Sequence, residues 1–545
     1  MMSSQSQTPF ASGRDPFWQE APPVHIGRSI AASLGSRIPR YDSAAALLTF
    51  CFVAVAGLAV LRGVFAATID LRVDEAYYWT WSKESVVSYL DHPPMIAWCI
   101  RFGTLLFGDT NFGVRFPGLV AMFLMQLLLA DIVWRTLRDV RYVVIAVLLP
   151  EASLDYGLLM ARVAPDVLLI PFELAMIWSL VRLSQSGNHR WWLAAGLFGG
   201  LALLTKYTAI LLLPAVIAFA IVPDWRKRQL SSPLPWLAAG LAFLIFSPVL
   251  YWNAVHEGAS FRFQLDRPAQ ISSWSARFLA DFVGQQFVLV GVLLLPIVLI
   301  ATWMLASRGY RSRAPLSILL STAVIFPLGF LVWHGLASRI GDSWPLFVWP
   351  LAFVGAIINL KQWRQEAPAS LLAQFAPAII GVAIVSGTAF VAATQLYYIG
   401  GTANYLKNND PIGKEAGFAD VVAAAEQNRL DAGATWFATT DYRIYAMLRW
   451  HLRDAVPVVQ VNERSRYIGF KPSTLDGHVG LYVAPTENPN ATLWEKTDAT
   501  LLPVGEADLV WRGFRYDTYT FQELVDWKPV LAPPEDGEFY IASPS

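Results

Sequence analysis

Charged residues are scarce in this sequence. They make up only 15% of the 545 residues, while hydrophobic residues make up 55%; a soluble domain carries roughly 25% charge. Lysine plus arginine and aspartate plus glutamate balance at 41 each, so no net positive field favours a nucleic acid partner. The composition excludes a chain of several soluble domains and predicts a polytopic membrane protein.

Cysteine is also scarce. The chain has two, Cys51 and Cys99, in no CxxC spacing and without neighbouring histidine clusters. Neither a disulfide framework nor a structural zinc site is therefore expected. Residues 1–42 lack a compact apolar run followed by a small-residue cleavage site, so we predict a disordered cytoplasmic tail and not a signal peptide.

Long apolar runs fill the region 43–398. About eleven of them, within a predicted range of about 11 to 13 spans, are long enough or nearly so to cross a hydrocarbon layer of ~30 Å, and runs below ~17 residues are alternatively re-entrant. They lie near 43–66, 113–134, 142–160, 166–181, 191–204, 208–223, 236–252, 282–304, 315–334, 345–360 and 371–398. The pattern predicts a mainly α, helical membrane domain.

Basic residues predict the orientation of these spans. They precede the first span and then recur in every second connection: Arg14, Arg28, Arg37 and Arg40; Arg135, Arg138 and Arg141; Arg182 and Arg190; Arg226, Lys227 and Arg228; Arg308, Arg311 and Arg313; Lys361 and Arg364. Because lysine and arginine accumulate in cytoplasmic loops, we expect the N-terminus inside and residues 399–545 outside. In a bacterium, this places the protein in the inner membrane with its C-terminal part in the periplasm.

Residues 399–545 change in character. Apolar and polar residues alternate in Val456–Val461 and Gly480–Ala484, and Asp441–His451 has a helical pattern. These patterns predict a small α/β domain outside the membrane.

The connections on the predicted external side of the membrane carry unusual polar residues. The long loop 67–112 contains Asp74 and Glu75, followed by aromatic residues, and then Asp91 and His92 before two prolines. Carboxylates at a membrane boundary are costly unless they face water, a cation or a reaction centre. Aspartate and histidine also suit a divalent metal, or a phosphate with its counter-cation. A helix start stabilised by acidic residues is the plainer interpretation of Asp74 and Glu75.

Further ionisable residues fall on the same side. Asp166 follows Pro165 in a turn, and Lys206 lies between two apolar segments. A lysine on the external side departs from the positive-inside pattern, so it either has an anionic partner or extends to the headgroups. The loop 253–281 adds His256 and Arg262; it fits a mobile gate over a sugar and an acyl chain, or an ordinary amphipathic surface helix.

These positions converge on glycosyl transfer from a lipid-linked sugar. With a polyprenyl chain in the membrane, the phosphate lies at the interface and the sugar projects outward. Lys206, with a metal near Asp91 and His92, would hold the leaving phosphate, and Asp74 would take the proton of an acceptor hydroxyl or orient that hydroxyl. Attack opposite the phosphate would invert the anomeric centre.

The same motifs resemble the GT-C glycosyltransferases related to the lipid A aminoarabinose transferase and the protein O-mannosyltransferases. The resemblance lies in Asp74-Glu75 with its aromatic run, Asp91-His92-Pro93-Pro94, Pro165-Asp166 and Leu204-Thr205-Lys206, and in the C-terminal segment from Thr440 to Trp450. It implies a polyprenyl-phosphate-linked sugar donor, a lipid or glycan acceptor, and contact with membrane lipids. Lipid A or the core oligosaccharide is the favoured acceptor.

The resemblance also implies roles for individual residues. Asp74 matches a catalytic first-loop acid, with Glu75 beside it and Asp166 as a further catalytic carboxylate. Lys206 matches a lysine that contacts the donor phosphate, with His92 and Arg262 as further phosphate-binding candidates. Aminoarabinose transferases carry Glu-Lys where this chain has Asp91-His92, so one phosphate-binding lysine is absent. Asp91, His92 and His256 are then the candidate ligands of a divalent zinc, magnesium or manganese ion.

Two alternatives remain open. A protein O-mannosyltransferase-like enzyme shares the motifs and differs mainly in its external domain. A transporter or flippase of lipid-linked sugars would concentrate ionisable residues at the bilayer midplane and often shows internal repeats. Here the carboxylates cluster in connecting loops, which favours the enzyme.

Overall fold

A computed structural model describes residues 40–269, 276–401, 404–467, 479–487 and 500–525. Most of these residues are helical, and a small sheet follows the last long apolar helix. The predicted fold class, a helical membrane domain followed by a small α/β unit, is confirmed. The predicted N-terminal tail lies almost entirely outside the described residues.

Nineteen α-helices occur in the described part of the chain. They are α1 (Arg40–Thr68), α2 (Val73–Lys83), α3 (Met95–Phe107), α4 (Asn111–Leu137), α5 (Val140–Leu148), α6 (Leu154–Gly157), α7 (Pro165–Ser186), α8 (Trp191–Thr205), α9 (Leu213–Ala220), α10 (Pro223–Leu230), α11 (Leu234–Val255), α12 (Ala259–Ala269), α13 (Ala276–Leu289), α14 (Leu294–Ser312), α15 (Pro315–Gly335), α16 (Trp349–Glu366), α17 (Leu371–Gly400), α18 (Phe418–Asp431) and α19 (Tyr442–Leu452). Short 3-10 helices cover Pro150–Ala152, Leu159–Ala161, Tyr207–Leu212, Lys407–Asn409 and Arg464–Tyr467.

Within the described ranges, six helices are long and apolar enough to cross a membrane: α1, α4, α7, α11, α15 and α17. Helices α13 and α14 form a seventh candidate that is bent by 105°. The chain is thus a multi-pass membrane protein, but the predicted count of about 11 to 13 spans is not confirmed. Two predicted spans are shorter apolar helical stretches, α8 and Tyr207–Ala220, and a further short apolar helix, α3, lies within the predicted external loop 67–112.

The predicted span 142–160 is a broken segment. Helix α5 has nine residues and is followed by short helical pieces up to Ala161. Pro150 starts one of these pieces, and a proline lacks the N–H group that would continue the α-helix. Helix α17 approaches the break closely, since a Cβ atom on Gly387 would lie 2.2 Å from the Ala152 carbonyl oxygen.

The C-terminal unit is built around a five-stranded sheet in the described residues. Its strands are β1 (Trp436–Thr439), β2 (Val458–Gln460), β3 (Gly480–Pro485), β4 (Thr500–Trp511) and β5 (Phe514–Val525), in the order β2-β1-β3-β5-β4. β1 runs parallel to β2 and β3, while β5 runs antiparallel to β3 and β4. The predicted strands at Val456–Val461 and Gly480–Ala484 are confirmed as β2 and β3, and the helix predicted over Asp441–His451 is α19.

Helix α19 attaches the C-terminal unit to helix α2. The Trp79 and Trp450 rings meet edge to face with centroids 5.1 Å apart. Arg449 Nη1 donates to Glu84 Oε1 at 3.3 Å, just beyond the end of α2. Because α2 also carries Asp74, this contact sets the position of the C-terminal unit relative to the candidate site.

Candidate active site

Glu75 fixes the first turn of α2. Each of its two carboxylate oxygens accepts two hydrogen bonds. Oε1 receives the Arg115 Nε group at 2.9 Å and the Val163 backbone N–H at 3.0 Å. Oε2 receives Arg115 Nη2 at 2.7 Å and the Arg72 backbone N–H at 3.0 Å. The pair is buried, so Glu75 ties α2 to α4 and to the segment before α7.

Asp74 is the adjacent residue, and its side chain is exposed. Tyr442 of α19 donates its hydroxyl to Asp74 Oδ1 at 3.4 Å. Solvent reaches this carboxylate although protein atoms surround it closely, and their desolvating effect raises its pKa above the ordinary aspartate value. The negative charge of Glu415 raises the pKa further, while Arg72 lowers it.

Arg72 and Glu415 form an ion pair next to Asp74. Arg72 Nε and Nη2 each contact a different oxygen of the Glu415 carboxylate. Such a two-point contact is the strongest geometry for an arginine with a carboxylate. It joins the start of α2 to the segment that connects α17 with α18.

Lys206 and Asp166 form a second ion pair. Lys206 has an extended backbone directly after α8, and Asp166 is the second residue of α7. Lys206 Nζ donates to Asp166 Oδ1, and both side chains are buried. The nitrogen also lies 5.9 Å from the centroid of the Trp344 ring. The anionic partner expected for Lys206 is therefore Asp166.

Asp91 is a junction of three chain segments. Arg466 Nη1 donates to both Asp91 oxygens, at 2.8 and 2.7 Å, and the Tyr77 hydroxyl donates to Oδ2 at 2.9 Å. Gln264 of α12 donates its side-chain Nε2 to the Asp91 backbone oxygen at 2.6 Å. The loop after α2, the helix α12 and the C-terminal unit thus meet at one residue.

Tyr78 lies within electrostatic reach of three of the predicted acidic residues. Burial raises its pKa well above the ordinary tyrosine value, and the negative charges of Asp74, Asp91 and Asp166 add to that effect. Its ring also meets the His92 ring at 6.0 Å. The fold therefore gathers Asp74, Tyr78, Asp91, Asp166 and Lys206, and these five residues are called the polar cluster below.

His256 and Arg262 lie apart from the contacts of the polar cluster. His256 Nδ1 is 2.7 Å from the Trp252 backbone oxygen, and the two rings are 4.4 Å apart. Arg262 is largely exposed, with Nη2 3.8 Å from Glu257 Oε2. The loop 253–281 supplies Gln264 to the site instead.

The metal prediction does not fit the residues present. In the ranges that the structure describes, no three histidine, cysteine, aspartate or glutamate side chains are grouped so that they could hold a metal ion. The Asp91 carboxylate already binds the Arg466 guanidinium, which occupies the oxygens that a metal would need. A divalent metal at this site therefore stays a prediction.

Sequence reasoning missed the contributions of the C-terminal unit. Arg466 reaches Asp91 across 375 residues of chain, and Tyr442 reaches Asp74 across 368. The segment around Tyr442 carried a family resemblance, whereas Arg466 lies in no motif. Only the docking of α19 on α2 brings these residues to the polar cluster.

Part of the chain matches a known family. A family model described as dolichyl-phosphate-mannose-protein mannosyltransferase matches residues 91–252, a range that includes Asp91, Asp166 and Lys206. The lipid A galacturonosyltransferase RgtD of Rhizobium johnstonii is 30% identical over 264 residues, 46% of this chain and 52% of that protein. An undecaprenyl phosphate-alpha-4-amino-4-deoxy-L-arabinose arabinosyl transferase of Sodalis glossinidius is 28% identical over 29% of each chain. The chain thus spans about half, or less, of the length of these relatives.

The fold matches a solved structure over most of its length. The structure of ArnT from Cupriavidus metallidurans bound to undecaprenyl phosphate has a TM-score of 0.60 at 15% identity. The match covers 87% of this chain and 98% of ArnT. The chain thus has the GT-C fold of ArnT, and the relatives that it resembles in sequence are glycosyltransferases.

Proposed function

We propose that this chain is an integral membrane glycosyltransferase that transfers a sugar from a polyprenyl-phosphate donor to an envelope acceptor. The observation that carries the proposal is the polar cluster: an exposed carboxylate, Asp74, shares a site with the buried Lys206–Asp166 pair at the ends of apolar helices. The relatives support the same chemistry, because their names describe transfer of galacturonic acid, aminoarabinose or mannose.

Lys206 is the proposed contact for the donor phosphate. Its charge is balanced by Asp166. When the donor phosphate approaches, it replaces the Asp166 carboxylate as the anion next to Lys206. The buried ammonium is therefore never left without a counter-charge. Asp166 in turn holds Lys206 at the end of α8 until the donor binds.

Asp74 is the proposed base. The acceptor oxygen attacks the anomeric carbon on the side opposite the phosphate, and the bond between that carbon and the phosphate oxygen breaks. The proton of the acceptor hydroxyl passes to Asp74, and polyprenyl phosphate leaves with the bonding electrons. A raised carboxylate pKa suits this role, since a base works best when its pKa approaches the working pH. The single displacement inverts the anomeric centre.

Glu75 is better suited to positioning than to chemistry. All of its oxygens are engaged by Arg115 and by backbone N–H groups. It keeps the first turn of α2 fixed, and Asp74 is held in that turn.

The site is proposed to face the periplasm. Helix α7 begins beside Asp166 and carries Arg182 near its far end, and α8 begins after Arg190 and ends at Lys206. The 22 residues of α7 span about 33 Å, close to the ~30 Å of a hydrocarbon core. The basic residues and the polar cluster are therefore at opposite ends of these helices, and the positive-inside rule puts the cluster outside. A periplasm-dependent reporter fused after Gly400 would be active in this orientation and silent in the reverse one.

Lipid A or the core oligosaccharide is the favoured acceptor, on the strength of the relative RgtD. A protein acceptor is the second candidate, because the matching family is described by protein mannosylation. Both acceptors require the same site chemistry.

Mass spectrometry of the lipid A and core fractions from a deletion strain tests the proposal. Complementation with the wild type is expected to restore one missing sugar, while Asp74→Asn should not restore it. Asp420→Asn is the matched control, because this aspartate is exposed on α18 of the C-terminal unit. A change in glycoproteins alone would favour the protein acceptor. If Asp74→Asn restored the sugar fully, Asp74 would have no part in the chemistry. If the deletion altered neither the lipids nor the glycoproteins, transport of lipid-linked sugars would become the better explanation.

A further inference from the structure

The contact between Arg466 and Asp91 connects the C-terminal unit to the polar cluster. Arg466 lies in the 3-10 helix Arg464–Tyr467 and is the one part of that unit in the described residues that reaches Asp91. Its Nε also donates to Glu463 Oε2 at 2.8 Å. The Arg466 side chain keeps 18% of its surface accessible, whereas Asp91 keeps 7%.

Two aromatic rings lie against the guanidinium of Arg466. Its carbon lies 5.3 Å from the centroid of Tyr442 and 5.8 Å from that of Phe263. Tyr442 is also the residue that donates to Asp74. Tyr442 therefore contacts both Arg466 and the proposed base, which places a guanidinium, a group suited to oxyanions, beside the candidate site.

The cations around the polar cluster are paired with carboxylates in different ways. Arg72 is bound through two nitrogens to a single carboxylate, Glu415. Lys206 is buried with Asp166. Arg466 divides its contacts between two carboxylates, with Nη1 donating to Asp91 and Nε to Glu463, and Asp91 also accepts the Tyr77 hydroxyl. If Arg466 moved to a ligand, Asp91 would thus keep a hydrogen-bond donor.

We propose that Arg466 is a substrate-binding residue that exchanges Asp91 for an oxyanion of the glycosyl donor. The inference rests on the proposed function, since it assigns a residue to that donor. A guanidinium binds phosphate and carboxylate through paired N–H groups. The oxyanion is either the phosphate of the carrier or a carboxylate on the transferred sugar. The C-terminal unit thereby takes a direct part in donor binding.

Binding measurements on the full-length protein in lipid nanodiscs test this assignment. The probes are undecaprenyl phosphate, the same carrier phosphate linked to a hexuronic acid, and the carrier phosphate linked to a neutral hexose. The variants are Arg466→Gln, Arg466→Lys and Asp91→Asn. Arg443→Gln is the control, because Arg443 belongs to the same unit and pairs with Asp441 at the surface.

Opposite effects of the two partners are the expected result. Arg466→Gln should weaken binding of the recognised probe by about ten- to a hundredfold, the effect of one charged hydrogen-bonding group. Asp91→Asn should leave that binding intact or strengthen it, because a competitor for Arg466 is weakened. Arg466→Lys should fall between wild type and Arg466→Gln, and Arg443→Gln should bind like the wild type.

The probes separate the two oxyanions. If the carrier phosphate is recognised, all three probes lose affinity in Arg466→Gln. If a sugar carboxylate is recognised, only the hexuronic acid probe does. Unchanged affinity for every probe in both Arg466 variants, or equal losses in Asp91→Asn and Arg466→Lys, would overturn the assignment, since equal losses mark a purely structural ion pair. A wild-type protein that binds none of the probes would instead refute the proposed function.

Discussion

The buried pair of Glu75 and Arg115 allows a quantitative prediction for Glu75→Gln. Glutamine keeps one oxygen, which can still accept from Arg115 Nε and the Val163 N–H group. Its amide nitrogen would then face Arg115 Nη2 and the Arg72 N–H group, so two of the four accepted hydrogen bonds are lost. The amide NH2 group, itself a donor, would point at these two donors. The substitution also removes the negative charge opposite a buried guanidinium.

Loss of one partner from a buried ion pair costs about 3–5 kcal/mol. Arg115 has other acceptors here, because it donates to the backbone oxygens of Ala66, Ile69 and Asp70 at the end of α1. These contacts disperse part of the unbalanced charge, so we expect the lower end, about 3 kcal/mol. The predicted consequence is a less stable protein in which activity falls because α2 is no longer fixed.

Reversible unfolding of the purified protein in mixed micelles, followed by tryptophan fluorescence, measures this change. Asp74→Asn is the matched control, since the adjacent carboxylate is exposed and its loss should leave stability within about 0.5 kcal/mol of the wild type. Activity of Glu75→Gln should recover partly at low temperature. If Glu75→Gln were as stable as the wild type and yet inactive, the positioning role would be refuted and Glu75 would belong to the chemistry.

Three further predictions concern activity and packing. Only the ionised Asp74 accepts a proton, and its pKa is raised by desolvation and by Glu415. The transfer rate at low substrate concentration should therefore fall about tenfold per pH unit below that pKa. The residual rate of Asp74→Asn should not show this fall at low pH. Lys206→Ala should raise the KM for the donor more than it lowers kcat. Adding Asp166→Asn to this variant should restore the stability of the protein but not its affinity for the donor. A double variant with a normal KM would contradict the phosphate-binding role of Lys206. Gly387→Val should lower the apparent melting temperature in size-exclusion assays, since its Cβ would meet a backbone oxygen at 2.2 Å; an unchanged melting temperature would show that α17 can shift.

Local sequence patterns were sufficient to find the polar residues on one side of the membrane domain. Asp74, Asp91, Asp166 and Lys206 stood out because ionisable side chains at the ends of apolar runs need a partner or a function. The structure pairs Lys206 with Asp166 and brings the three carboxylates within electrostatic reach of Tyr78. The roles assigned to them remain predictions until the variants are measured.

The span count could not be predicted in the same way. A short apolar run has the same composition whether it crosses the lipid or packs among other helices. Its length identifies a membrane span only above ~17 residues. Helix α8 has 15 residues, ends at Thr205 and is followed by Lys206, so its length lies in the range that sequence alone does not resolve. His256 directly follows α11 and Arg262 lies in α12. Their positions relative to the polar cluster are set by tertiary contacts, which the sequence pattern does not encode.

Helix α2 carries Asp74 in its first turn and meets the C-terminal unit through Trp79 in its second. The carboxylate and the tryptophan contact thus share one 11-residue helix. A chimera that takes its C-terminal unit from a relative would need the matching α2 as well, because a mismatched tryptophan contact would tilt the helix that presents the carboxylate. Grafting of the C-terminal unit should accordingly preserve activity only when both segments are transplanted together.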